Sequence, residues 1–162
     1  MDDFSKKIRT CCFTGHSKIP PKQLETITRR LRESILKLID DGYLYFEAGG
    51  ALGFDTLAAQ IVLDLRSEYP QIQLVLILPC LSQSSGWNEH DQTVYKNIKA
   101  MADKVIYTSR EYTRGCMHKR NRHLVDNSSA CICYLTEATG GTAYTVEYAK
   151  RKALRVINIA EQ

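Results

Sequence analysis

Six short apolar runs, most without strict in-out alternation, recur along the chain at 8–13, 43–47, 72–78, 104–107, 130–135 and 155–159. Strands buried on both faces of a parallel sheet have this appearance. Between them lie stretches of helical periodicity at 21–40, 55–68, 87–102, 116–127 and 142–152. The first places Leu24, Ile27, Leu31, Ile35, Leu38 and Ile39 on one face and begins at Pro21, where a missing N–H costs least. Strand and helix alternate throughout, which predicts an α/β, Rossmann-like, doubly wound and mostly parallel sheet of about six strands with helices on both faces. In such sheets a ligand sits beyond the carboxyl ends of the strands, so the residues just after each strand carry the most information.

The chain has 162 residues, which suits one domain over 1–162, ordered from about 8 to 159. Its longest apolar run is far short of the roughly 20 residues of a membrane span, and residues 1–7 lack the apolar core of a signal peptide, so a cytoplasmic protein away from membranes is expected. Cys11, Cys12, Cys131 and Cys133 fall inside strand-like runs and read as small core hydrophobes. Neither the cysteines nor His16, His90, His118 and His123 complete a metal-ligand spacing, so no metal is expected and no cofactor is required. The net charge of +4 is local: Arg110, Arg114, Lys119, Arg120 and Arg122 stand against Glu111 and Asp126. Such a cluster reads as a solvated helix face, an anion site or a weak nucleic-acid patch.

Two glycine-rich turns follow predicted strands and precede predicted helices: Gly49-Gly50-Ala51-Leu52-Gly53-Phe54-Asp55 and Gly140-Gly141-Thr142. Glycines there let backbone N–H groups approach a phosphate, to which the helix N-terminus adds partial positive charge. Neither turn is a Walker loop or a Gly-x-Gly-x-x-Gly fingerprint, which argues against ordinary NTPases and NAD dehydrogenases. Asp55 either caps its helix and shapes its turn or hydrogen-bonds ribose hydroxyls. Gly15 and His16 follow the first strand in a Gly-His-Ser turn aimed at the same crevice, where His16 either makes a local backbone hydrogen bond or contacts the ligand. Trp87 either stacks on a base or packs in the core or an interface. Arg120 facing the crevice would hold a phosphate in bidentate fashion, beside Asn121. Glu147, about two turns into its helix, is either a surface carboxylate or a catalytic one.

These residues together resemble the SLOG superfamily, which groups DprA (SMF), the LOG phosphoribohydrolases and, most similar here, a YpsA-like family. The resemblance runs from about 12 to 159. It rests on Phe13-Thr14-Gly15-His16, the Gly49 to Ala59 run, Pro79-Cys80 with Gln83 and Trp87, Arg120-Asn121, and Gly140-Gly141-Thr142 with Thr145-Val146. It implies a Rossmann-like fold with a nucleotide or ADP-ribose-like ligand in the crevice, and by LOG analogy Arg120 and Glu147 as catalytic residues. The chain departs from the LOG pattern at Thr139, Ala143 and Tyr144, and from the YpsA-like pattern at Ser17.

Three functions are therefore expected in this order. The first is binding or sensing of a nucleotide-derived ligand such as ADP-ribose, NAD or a nucleoside monophosphate, with Pro79, Trp87 and Thr145 also at the site. The second is LOG-like cleavage of a nucleoside 5′-monophosphate. The third is DprA-like binding of single-stranded DNA through residues 110–122, which lack a dense aromatic-basic run. A homo-oligomer is expected because exposed helices of small α/β domains often pair.

Overall fold

Every strand in the computed structural model, which describes residues 2–161, runs parallel to its neighbours. The chain forms α1 (Asp3–Lys7), β1 (Thr10–Gly15), a 3-10 turn (Pro21–Gln23), α2 (Leu24–Asp40), β2 (Tyr45–Ala48), α3 (Phe54–Arg66) and β3 (Gln73–Leu78). It continues through α4 (Glu89–Met101), β4 (Lys104–Tyr107), α5 (Cys116–Asp126), β5 (Ala130–Tyr134), α6 (Gly141–Arg151), β6 (Arg155–Asn158) and a 3-10 turn (Ile159–Glu161). The sheet order is β4-β3-β2-β1-β5-β6.

Apolar spacing decides which face each helix covers. Ile27, Leu31, Ile35 and Leu38 recur at helical period on α2 and are all but inaccessible, each contributing about 1.5–3 kcal/mol. They share one core with α3, α4 and the sheet face carrying Phe13, Phe46 and Ile132. The opposite face, with Cys12, Val75, Cys131 and Cys133, packs against Leu124 and Val125 of α5 and Val146 and Ala149 of α6. The four strand cysteines are thus core thiols, as their apolar context implied.

Order begins earlier than the apolar run suggested. Asp2 accepts the Ser5 N–H at 2.8 Å and caps α1, so residues 3–7 are helical. Ile8 ends that helix, 46% exposed, and β1 starts at Thr10 rather than at residue 8. The single-domain expectation spans 1–162; its two end residues lie outside the described ones.

Glu47 breaks the apolar pattern. It pairs in register with Cys12 and Val75, is 5% exposed, and its Oε1 has no hydrogen-bond partner among the described residues. Burial pushes its carboxyl up to about 8, against the opposing pull of Lys6 and Lys104.

The strand order reverses beside β1. The chain moves outward from β1 to β4, then crosses to β5 on the other side of β1. The loops after β1 and β5 consequently lead to helices on opposite faces and leave a crevice between them.

Candidate functional site

A cavity of about 480 Å³ occupies that crevice. Gly15 at the end of β1, with His16 and Lys18 after it, faces Gly140, Gly141 and Thr142 at the start of α6. Tyr134, Thr136 and Glu137 close it at the end of β5.

Gly140 has φ +104°, a region L side chains rarely adopt, and so turns the chain abruptly into α6. No side chain caps this helix, and the first backbone bond back into it is Tyr144 N–H to Gly140 C=O at 3.0 Å. The N–H groups of Gly141, Thr142 and Ala143 therefore have no acceptor within the helix. A β-carbon built on Gly141 would meet nothing within 4 Å, so the helix end is open. Thr145 braces this turn from inside, donating to the Gly141 carbonyl at 2.9 Å, and is buried rather than facing the cavity.

His16 ties the two walls together. Its Nε2 accepts the Thr136 N–H at 2.9 Å, which requires the proton of a neutral ring on Nδ1. The ring meets Tyr134 edge-on at 5.5 Å, and the Tyr134 hydroxyl donates to Gln23 Oε1 at 3.2 Å.

The first glycine turn is committed elsewhere. Gly53 has φ +77°, and a β-carbon there would sit 2.3 Å from the Ser17 carbonyl oxygen. The Phe54 N–H donates to the His16 carbonyl at 3.1 Å, so the chain itself covers the start of α3. Gly50 lies against Leu78 and Gln83, whose Nε2 donates to the Gly49 carbonyl at 3.0 Å. Ala51 N–H donates to Asp55 at 3.3 Å, the turn-shaping role among the alternatives for that residue. Asp55 is 6% exposed; burial pushes its carboxyl up to about 6, and the facing Arg120 charge pulls the other way.

Arg120 is 5% exposed and donates to the carbonyls of Gly49 and Ile77 and, through Nε, to Asn121 Oδ1 at 2.9 Å. The expectation that it holds a phosphate with the second turn is corrected: its guanidinium knits the β2 and β3 ends to α5 and does not line the cavity. Burial lowers its pKa, with Asp55 opposing. The two glycine turns therefore belong to two structures, an open crevice and a buried polar brace.

Three further residues expected at the site lie outside the cavity, and for Glu147 and Trp87 the structure shows the surface and core alternatives. Glu147 lies on the exposed side of α6 and outside the cavity. Trp87 precedes α4 instead of opening it, and packs half-buried against Tyr95, edge-on at 5.3 Å, as a core residue. Pro79 is buried after β3 and does not line the cavity. The crevice adds Lys18, Tyr134, Thr136 and Glu137, which the glycine motifs did not flag. The signal for them was their place at or just after the ends of β1 and β5, adjacent strands only once the sheet order is known.

The family profile described as the YspA SLOG family matches residues 15–159. UPF0398 proteins of Bacillus thuringiensis (strain Al Hakam) and Bacillus cereus (strain AH187) are each 33% identical over 132 residues, covering 80% of this chain and 72% of theirs. Among solved structures, DNA processing protein A (DprA) from Streptococcus pneumoniae superposes with TM-score 0.65 at 13% identity over 93% of this chain. The Helicobacter pylori DprA, described for its single-stranded DNA binding mode, gives 0.64 at 18% over the same share. This chain spans 50% and 64% of those two DprA chains, and at such identities the likeness supports the fold alone. No described helix is long and apolar enough to cross a membrane. The profile match over 15–159 and the UPF0398 relatives establish that this chain belongs to the YspA SLOG family.

Proposed function

We propose that the crevice between the ends of β1 and β5 binds the phosphorylated end of a nucleotide-derived small molecule. The observation that carries this reading is the uncapped start of α6, whose free N–H groups open into a cavity at the point where the strand order reverses. A phosphate would accept from the N–H groups of Gly141, Thr142 and Ala143, with Lys18 balancing its charge. Glu137, on the same rim, is placed to accept from sugar hydroxyls. His16 fixes the spacing between the walls and presents Nδ1–H.

Phosphate recognition is also the chemistry that single-stranded DNA, the ligand described for the Helicobacter pylori DprA, shares with a nucleotide. Cleavage of a nucleoside monophosphate loses its geometric basis, because its proposed carboxylate, Glu147, faces solvent away from the cavity. Binding without turnover is the function this crevice supports best.

Isothermal titration of the purified chain with AMP, ADP-ribose, NAD and cyclic nucleotides tests the reading, alongside mass spectrometry of copurified small molecules. A dissociation constant below millimolar for one of them, lost when Thr142→Glu puts a carboxylate at the rim of the crevice, is the expected result. No binding by any, with no copurified ligand, sinks the proposal.

A further inference from the structure

The segment 109–152 holds eight basic and four acidic residues, an excess equal to the net charge of +4 of the whole chain. The fold gathers much of this excess on the outer surface of α5 and α6, beside the crevice rather than in it. A cavity of about 490 Å³ there is lined by Arg114, His118, Lys119, Arg122 and Tyr144. No carboxylate lines it. A second hollow of about 350 Å³ shares Lys119 and Arg122 with it and continues toward β4, with Asp126 on its wall.

Aromatic rings and hydroxyls, rather than acids, hold four of the cations on this surface, Lys119, Arg122, Arg151 and Lys152. Arg122 donates to the Tyr144 hydroxyl at 3.2 Å, and Lys119 to Ser109 Oγ at 3.3 Å. Tyr148, parallel to Tyr144 with ring centres 6.5 Å apart, carries Arg151 and Lys152 over its ring at 5.8 and 5.4 Å. From Tyr144 to Lys152 the strip runs about 12 Å along α6. Elsewhere four arginines, Arg29, Arg32, Arg66 and Arg155, each lie within 4.0 Å of a carboxylate. Among the described residues, Arg114, Lys119, Arg122, Arg151 and Lys152 form no such pair.

The acids near the strip are Glu111, Asp126 and Glu147. Asp126 accepts from the Tyr148 hydroxyl at 2.7 Å, and Glu147 is exposed. Before α5, Tyr112 stands 68% exposed between Arg110 and Arg114. Cations held without acid partners offer their N–H groups to phosphates at reduced ordering cost, and an exposed tyrosine offers a face to a base.

From this geometry we infer that the α5–α6 surface binds single-stranded nucleic acid, with Arg114, Lys119 and Arg122 on backbone phosphates and Tyr112 against a base. The surface is distinct from the crevice and does not depend on what the crevice holds.

The test is fluorescence anisotropy of the full chain with a fluorescein-labelled 15-mer of deoxythymidine between 50 and 200 mM NaCl. The triple variant Arg114→Ala/Lys119→Ala/Arg122→Ala should bind at least about tenfold more weakly, with a salt slope shallower by about 2, from roughly 0.7 per single-strand contact. Tyr112→Ala should weaken binding severalfold with the slope unchanged. Melting temperature checks the fold of each variant, and AMP titration reads the crevice separately. The inference is overturned by no oligonucleotide binding at 50 mM salt, by full affinity in the triple variant, or by equal competition from poly-glutamate. Displacement of the oligonucleotide by saturating AMP would also overturn it, by placing the strand in the crevice.

Discussion

Replacing Gly141 by aspartate separates phosphate binding from folding. Its backbone is outside the left-handed region and a β-carbon meets nothing within 4 Å, so α6 accepts a side chain at this position. A carboxylate in the first turn interacts favourably with the helix dipole by about 0.3–1 kcal/mol, and removing a glycine from the unfolded ensemble adds about 0.4–1 kcal/mol. Gly141→Asp should therefore stabilise the protein by about 1 kcal/mol, a rise of roughly 2–4 °C in Tm. The same carboxylate occupies the place proposed for the phosphate. Two unit charges 4 Å apart repel by about 1 kcal/mol in water and about 4 kcal/mol at an effective dielectric constant of 20. An open crevice lies toward the lower figure, while a phosphate monoester carries nearly two charges. A penalty of about 2 kcal/mol, or roughly thirtyfold in Kd, follows. Calorimetric melting and titration with the nucleotide bound by the wild-type chain measure both effects. A variant that melts higher yet binds with unchanged Kd would show that the start of α6 does not hold the phosphate.

Other substitutions probe the brace and the core. The native state keeps the Glu47 proton up to about 8, against an ordinary 4.5, so it binds more protons than the unfolded chain across that range. This group's contribution to stability therefore falls as pH rises from about 4.5 through 8. Glu47→Gln removes the dependence, and urea unfolding should show its advantage over wild type growing by about 3 kcal/mol between pH 5 and pH 8; a constant difference would refute the assignment. Arg120→Ala leaves Asp55 buried without its facing cation and the Gly49 carbonyl with Gln83 alone, at a cost of about 3–5 kcal/mol in denaturant unfolding. A variant of wild-type stability that has instead lost nucleotide affinity would return Arg120 to the binding site. Gly53→Ala combines a left-handed backbone with a 2.3 Å approach to the Ser17 carbonyl, and should lower stability by about 3 kcal/mol in the same assay.

The architecture was legible because burial on both faces writes continuous apolar runs into strands, and one-sided burial writes a 3.6-residue period into helices. Five helices were found nearly to their ends, and the strands within a few residues. The missed one, α1, is five residues long, with no buried residue and hence no periodicity to read. Both glycine turns were legible as turns, and their environments were not. Gly49–Gly53 and Gly140–Gly141 share a sequence form, yet one is packed beneath Arg120, Leu78 and the Ser17 backbone while the other opens on a cavity.

That difference rests on contacts between segments far apart in the chain, Gly49 with Arg120 and His16 with Thr136. The order β4-β3-β2-β1-β5-β6 creates them by setting β1 beside β5, which begins 120 residues after β1. The unpaired cations of α5 and the tyrosines of α6 likewise read as separate helix faces until packing joins them. Local periodicity and turn chemistry, which depend only on neighbours along the chain, determined the elements of this protein, and its motifs carried the resemblance to its family. Which polar groups are spent inside and which remain open to a ligand depends on neighbours across the sheet, and only the tertiary structure decided it.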